Sequence, residues 1–287
     1  MYVAALPYVF PVSSYIRVKV RASSVLELRI AIAQTPNELG NKMENLRRME
    51  SCLEEQEADL YVFGELFVTG YMCRDLLPRV AEKLDGRSVK RVQGMAQERG
   101  CSIVFGMPIW SDEVPGLLHN CALAVGPDGR VQKYEKINLA NFGPFEERFY
   151  FTPGQDPVMF DVDGSQFGVC ICYDIFFPEL IKSYAMQGAK GLICISASPS
   201  TSREQFERVL PARAAENTMY AIYSNLVGAQ LNMVFFGGGQ AYGPRGNQLM
   251  RNAYMKRDVG AIEFDPKEIE IARRMRPTIR DTYGGGA

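Results

Sequence analysis

The 287-residue chain has one histidine, His119, one tryptophan and no Cys-x-x-Cys pair. A single imidazole excludes the hydrolase sites built from several histidines and most zinc sites, so any hydrolytic base has to be another residue and no metal is expected. Net charge is also lacking: 32 Lys and Arg stand against 33 Asp and Glu. No global field recruits nucleic acid or anionic lipid, and neither is expected as a partner. No run approaches 18 uninterrupted apolar residues, which leaves no spanning helix. The first 24 residues have no basic residue ahead of their apolar part and contain two prolines, unlike a signal peptide. They are read as an N-terminal extension, 1–25. The seven cysteines are an odd number in a chain too long to need disulfide staples. A reducing compartment and a cytoplasmic location are expected.

What is present is a globular composition: 47% of residues are hydrophobic and 23% charged, which argues against disorder and coiled coil. Residues 26–34 read as a strand, 41–57 as a helix with Met43, Leu46, Met49 and Leu53 at helical spacing, and 60–63 as a short buried strand. Residues 88–99 are a helix ending at Gly100, followed by a strand at 101–107. Hairpins are expected around Pro127-Asp128-Gly129 and around Asp163-Gly164, with a long loop at 137–157 between them. Further on, helices at 177–187 and 203–217 alternate with strands at 191–196, 220–226, 233–241, 248–251 and 259–264, and Pro266 opens a last helix. Strand–helix alternation mixed with hairpins implies two partly antiparallel sheets packed together, each with helices on one face. No internal repeat or linker is visible, and one domain is expected at 26–276, with a tail at 277–287.

The most informative stretch is Phe167–Glu179, FGVCICYDIFFPE, a buried strand that ends at Cys172 and turns toward a helix, as in a nucleophile elbow. A thiol at such a turn lies near free backbone N–H groups and a positive helix end, which lower its pKa and pre-form an oxyanion site. By itself Cys172 could equally be a small buried hydrophobe. Two charged residues at strand ends change the balance. Glu65 follows the apolar strand Leu60–Phe63, where a carboxylate gains a raised pKa suited to a general base. Lys136 follows the strand that ends at Tyr134 and offers a fixed ammonium for an oxyanion or thiolate.

GELFVTGY around Glu65, YEKINL around Lys136 and CYDIFFPE around Cys172 together resemble the nitrilase superfamily of carbon–nitrogen hydrolases. The three motifs stand in that family's order, 71 and 36 residues apart, and the resemblance runs from about Leu26 to about Arg276. It implies a four-layer αββα sandwich, homodimers or larger homo-oligomers, and no metal or organic cofactor. Carried over residue by residue, it makes Cys172 the nucleophile, Glu65 the base, Lys136 the cation beside the oxyanion, and Tyr173 the donor of a backbone N–H to that oxyanion. Glu147 matches a further acidic position, although the adjacent Glu146 leaves the alignment open by one residue. Gly64 and Asn138 depart from the family, where proline and histidine are frequent; neither belongs to the triad.

These groups support thiolate attack on an amide carbonyl, an oxyanion held by Lys136 and the Tyr173 N–H, and a thioester hydrolysed by water that Glu65 deprotonates. Asp174 and Glu179, at a helix start, are read as structural, Arg213 and Glu216 as a supporting ion pair, and His119 as a structural histidine. Phe236–Gly243 misses the dinucleotide pattern and is read as close backbone packing.

Cys-Tyr-Asp after the turn is more similar to amidase branches of the family than to true nitrilases, so a small-molecule amide is the expected substrate. Stretches around Glu65–Leu76 and Asn225–Gln230 also resemble the glutaminase domain of glutamine-dependent NAD synthetases. A stand-alone glutaminase subunit and an N-carbamoyl amine hydrolase are alternatives. Tyr71, Phe142, Phe176 and Ser198 are candidates for the substrate pocket, although each residue of this kind is more often core. From another class, a catalytically silent scaffold would keep the fold; the complete Glu-Lys-Cys set counts against it.

Overall fold

Alternation along the first strand sets the layers of the fold. The protein was analysed as a computed structural model that describes residues 27–284; the extension expected at 1–25 and residues 285–287 of the tail lie outside them. In β1 (Leu28–Gln34), Leu28, Ile30 and Ile32 belong to one apolar cluster, whereas Ala31 and Ala33 belong to another. Successive side chains of a strand point to opposite faces, so both faces of β1 are covered, each by a different layer.

The outer cover on the alanine side is helical. Helix α1 (Lys42–Glu55) starts at Asn41, whose side chain accepts from the Glu44 N–H, and contributes Leu46, Met49 and Leu53. After β2 (Leu60–Val62) and the short α2 (Leu77–Val80), helix α3 (Arg87–Arg99) adds Val89, Val92 and Met95 and ends at Gly100, whose φ is +63°. The strands β3 (Ser102–Trp110), β4 (Leu118–Val125) and β5 (Val131–Glu135) follow as an antiparallel run.

The second half begins with a four-residue helix, α4 (Glu147–Tyr150), inside the loop expected at 137–157. Then come β6 (Met159–Val162), β7 (Ser165–Ile171), α5 (Pro178–Met186), β8 (Gly191–Ser196), α6 (Arg203–Asn217) and β9 (Tyr220–Asn225). The chain finishes with β10 (Val227–Gln230), β11 (Met233–Phe236), β12 (Gln240–Tyr242), β13 (Gln248–Arg251), β14 (Asp258–Phe264), α7 (Pro266–Met275) and α8 (Thr278–Gly284). Helix α8 occupies most of the segment expected as a tail.

One sheet has the order β14-β1-β2-β3-β4-β5 and the other β13-β12-β9-β8-β7-β6, while β10 and β11 form a separate ribbon. Starting from β14, successive pairs are antiparallel, parallel, parallel, antiparallel and antiparallel. Starting from β6, the second sheet gives the same series. Leu28, Ile30, Leu60 and Val62 of the first sheet share one apolar cluster with Phe160, Phe167, Val169 and Ile171 of the second. Helices α5 and α6 pack on β7 and β9. The architecture is the four-layer αββα sandwich.

Two expected elements differ from those found. The strand expected at 233–241 is divided into β11 and β12, because Gly237 and Gly238 adopt φ of +66° and +60°. A Cβ on Gly239 would lie 2.6 Å from Ile32 Cγ2, so the backbone here does pack closely against β1. The strand expected at 101–107 runs on to Trp110. Among the described residues no helix is long and apolar enough to cross a membrane, and no cluster of His, Cys, Asp and Glu could hold a metal ion.

Candidate active site

Strand ends bring the charged residues together. The turn after β2 is held from both sheets: the Glu65 N–H donates to Ser196 O at 3.2 Å and the Gly106 N–H donates to Gly64 O at 3.2 Å. Strand β3 approaches so closely that a Cβ on Gly106 would lie 2.3 Å from the Leu66 nitrogen, which only glycine permits. The Glu65 side chain is fully buried. Its Oε1 accepts from Asn120 Nδ2 and from Lys136 Nζ, each at 2.7 Å, and its Oε2 accepts the Ala197 N–H at 2.9 Å.

Lys136, just past β5, is anchored by its own N–H, which donates to Asn120 O at 2.9 Å, and by its carbonyl, which accepts from Gly154 at 2.8 Å. Its buried ammonium bridges Glu65 and Glu147 Oε1, the latter at 2.8 Å. Glu147 Oε1 also accepts from the Tyr71 hydroxyl at 2.7 Å, and Oε2 accepts the Ala140 N–H at 3.0 Å. Glu147 is buried beside Lys136, whereas Glu146 is exposed and lies 3.6 Å from Arg74.

Cys172 follows β7 with φ of +49°, a left-handed conformation that non-glycine residues seldom adopt. Its thiol lies 3.5 Å from Ser198 Oγ, which in turn pairs with Ser196 Oγ. The turn that follows, Cys172–Phe176, is a 3-10 helix. Asp174 knots this turn to the Lys136 loop: it accepts from the Ile171 N–H, the Tyr134 hydroxyl and both the N–H and Nδ2 of Asn138, at 2.8–3.0 Å. Arg213 Nε donates to Ile175 O at 2.9 Å while its other arm pairs with Glu216 at 2.8 Å. Asp174 and this pair thus support the turn, in keeping with the structural reading of both.

The aromatic candidates fall in different places. Phe142 is half-exposed and its ring lies 5.0 Å from Tyr173. Tyr71 bonds Glu147, and its ring meets Phe145 and Phe235 edge-on. Phe176 packs on Phe206 of α6 at 5.2 Å, a core contact. His119 Nδ1 lies 3.0 Å from Thr152 O and 3.4 Å from Glu135 Oε2, a satisfied structural histidine. Asn120 and the Ala197 N–H were not singled out from the sequence. The signal for Asn120 was there, a polar residue in the middle of the otherwise apolar LHNCALAV of β4.

Electrostatics correct one expectation. Burial, reinforced by the Glu65 carboxylate, pushes the Cys172 thiol up to about 12, and the Lys136 ammonium counters this only in part. Cys172 itself opens the 3-10 turn, and α5 begins only at Pro178. Burial raises the Glu65 carboxyl as well, against the pull of Lys136 and Asn120. Burial opposes the charge on Lys136, but Glu147 and Glu65 outweigh it and hold the ammonium well above its ordinary value. The site can therefore present a neutral thiol, a buried carboxylate able to take its proton, and a fixed cation.

Residues 29–274 match the family described as carbon–nitrogen hydrolase. The chain is 30% identical over 246 residues to a nitrilase of Pyrococcus abyssi, covering 83% of this chain and 90% of that protein. It is 32% identical over 243 residues to the glutamine-dependent NAD(+) synthetase of Acinetobacter baylyi, covering 83% of this chain but 44% of that protein. Among solved structures, an amidase of Nesterenkonia sp. AN1, with the acetamide moiety of fluoroacetamide covalently added at its active-site cysteine, superposes with a TM-score of 0.75. That amidase is 26% identical, and the match covers 89% of this chain and 97% of the amidase.

Proposed function

The chain belongs to the carbon–nitrogen hydrolase family, and on that premise we propose that it hydrolyses a small carboxamide to a carboxylate and ammonia through a thioester on Cys172. The observation that carries this reading is the buried Glu65–Lys136 pair at 2.7 Å, whose partners are the main charges acting on the Cys172 thiol. In the proposed cycle the thiol proton passes to Glu65 as sulfur attacks the carbonyl carbon. The resulting oxyanion lies against Lys136 Nζ and the Tyr173 N–H. Collapse breaks the C–N bond, and Glu65 returns the proton to the departing ammonia. Water then attacks the thioester, Glu65 takes its proton, and sulfur leaves as the thiol once that proton is returned. Glu147 holds Lys136 in place, with Tyr71 holding Glu147.

The likeness to an amidase with an adduct on its cysteine supports the thiol as nucleophile, and Cys-Tyr-Asp supports an amide over a nitrile. A glutaminase supplying ammonia elsewhere is the second reading, favoured by the likeness to less than half of an NAD(+) synthetase. Self-association into homodimers or larger homo-oligomers is part of the same proposal, and light scattering of the purified chain tests it. The test is ammonia release from short aliphatic amides, glutamine, N-carbamoyl compounds and nitriles, with folded Cys172→Ala as control. Release from an amide that disappears in the variant supports the reading. Release from nitriles alone, or an unreactive Cys172 toward iodoacetamide with no turnover of any compound, overturns it.

A further inference from the structure

Two of the donors that reach the Glu65 carboxylate converge on one oxygen. Asn120 Nδ2 and Lys136 Nζ both donate to Oε1, whereas the Ala197 N–H donates to Oε2. Each carboxylate oxygen offers about two lone-pair sites, so Oε1 is filled and Oε2 keeps one open. A proton arriving from a thiol needs an open site.

Asn120 is fully buried in β4, and its own Oδ1 is buried without a hydrogen-bond partner among the described residues. Leaving a buried acceptor unpaired costs stability. The opposite orientation of the amide would set Oδ1 against Oε1, acceptor against acceptor, so the carboxylate dictates which way the side chain points. The backbone of the same residue accepts the Lys136 N–H at 2.9 Å. One residue therefore fixes both members of the buried ion pair.

We propose that Asn120 is a positioning residue of the hydrolysis, which by filling the second site of Glu65 Oε1 assigns proton transfer from the Cys172 thiol to Oε2. This rests on the proposed function above. In the step, the S–H bond breaks and the Oε2–H bond forms, and the electron pair stays on sulfur to attack the carbonyl carbon. Oε2 later delivers the same proton to the leaving nitrogen. Without Asn120, Oε1 regains an open site, the carboxyl can hold a proton on the wrong oxygen, and its ionised form loses a donor.

The experiment compares wild type, Asn120→Leu, Asn120→Asp and Glu65→Gln. It follows the pH dependence of Cys172 alkylation by iodoacetamide without substrate, and kcat, KM and melting temperature with an amide that the wild type turns over. For Asn120→Leu, of similar size but with no donor, the expected outcome is a fall in kcat and alkylation of about 10²-fold or more. Its acid limb moves to higher pH, KM stays within about twofold and the melting temperature does not fall. Asn120→Asp, which can donate only while protonated, is expected to retain activity on the acid side and lose it as pH rises, narrowing the profile. An unshifted acid limb and unchanged kcat in folded Asn120→Leu would overturn the inference; so would an Asn120→Asp profile of wild-type width. Alkylation that is unchanged in Glu65→Gln would overturn the base assignment itself, separating failure of the reading from failure of Asn120's part in it.

Discussion

At the scale of single residues, the site keeps two carboxylates and one ammonium out of water, and each charge has a job that costs stability. Burial holds the Glu65 carboxyl above its ordinary value in the folded chain. A group of that kind contributes stability below its unfolded pKa, and the contribution is lost as pH rises through the folded value. Ionising Glu65 against its burial is a cost that the chemistry requires, offset in part by Lys136 and Asn120. Glu65→Gln is expected to abolish turnover and to lower the melting temperature less than loss of Lys136 does, because Lys136 keeps Glu147 as a partner. Its Cys172, deprived of the base and still held up by burial, should alkylate far more slowly than wild type at pH 7. A variant that still alkylates at pH 7 like wild type would contradict the relay. Lys136 carries the steeper prediction. Lys136→Met leaves Glu65 and Glu147 buried without their shared cation, and removing one partner of a buried pair costs about 3–5 kcal/mol. Both activity and melting temperature should fall, and a melting temperature equal to wild type at pH 7 would rule this out.

At the scale of elements, Glu65, Lys136 and Cys172 each sit just past the end of a strand, whereas Glu147 comes from α4. Glu65 was legible in the sequence through its motif, GELFVTGY, in order with those of Lys136 and Cys172; taken singly it could be read as a solvated strand edge. Lys136, after the half-buried strand VQKYE, was legible only through YEKINL in combination with the other two motifs. Asp174 was read as a carboxylate favouring a helix start, and its actual task, a four-bond knot between the Cys172 turn and Asn138, depends on partners 36 and 40 residues away. Spacing alone does not reveal such partners. The direction of the Cys172 shift was misjudged because burial decides it, and the depth of burial comes from packing that a string of residues does not show. Gly106 is the element-level counterpart of Glu65, since β3 presses on the turn at the point where a side chain would stand. Gly106→Ala must push Leu66 and Glu65 aside, with an overpacking cost of about 1–3 kcal/mol. Turnover is expected to drop at least as steeply as stability, and wild-type kcat in the folded variant would show that the Glu65 turn tolerates displacement.

At the scale of the molecule, two sheets with the same series of pairings face each other, and the site is assembled across the junction. Glu65, Asn120, Lys136 and Glu147 come with the first sheet, Cys172, Ala197 and Ser198 with the second, and the Ala197 N–H to Glu65 Oε2 bond crosses between them. The matching series was invisible in the sequence because strand order is fixed by long-range register and the two halves differ residue by residue. Activity should thus report on sheet-to-sheet packing. Phe264, fully buried at the end of β14, spans the junction far along the chain from the catalytic motifs, its ring 5.2 Å from Phe167 and 4.7 Å from Tyr220. Phe264→Ala opens a cavity there and is expected to destabilise by about 3–5 kcal/mol. Because one apolar cluster runs through both sheets, they should unfold as a unit, so urea transitions followed by circular dichroism and by ammonia release should shift to lower urea together. Without denaturant the variant should keep a kcat close to wild type, since none of the site's hydrogen bonds involves Phe264. Activity vanishing well before the circular dichroism signal would mean that the sheets separate as independent halves.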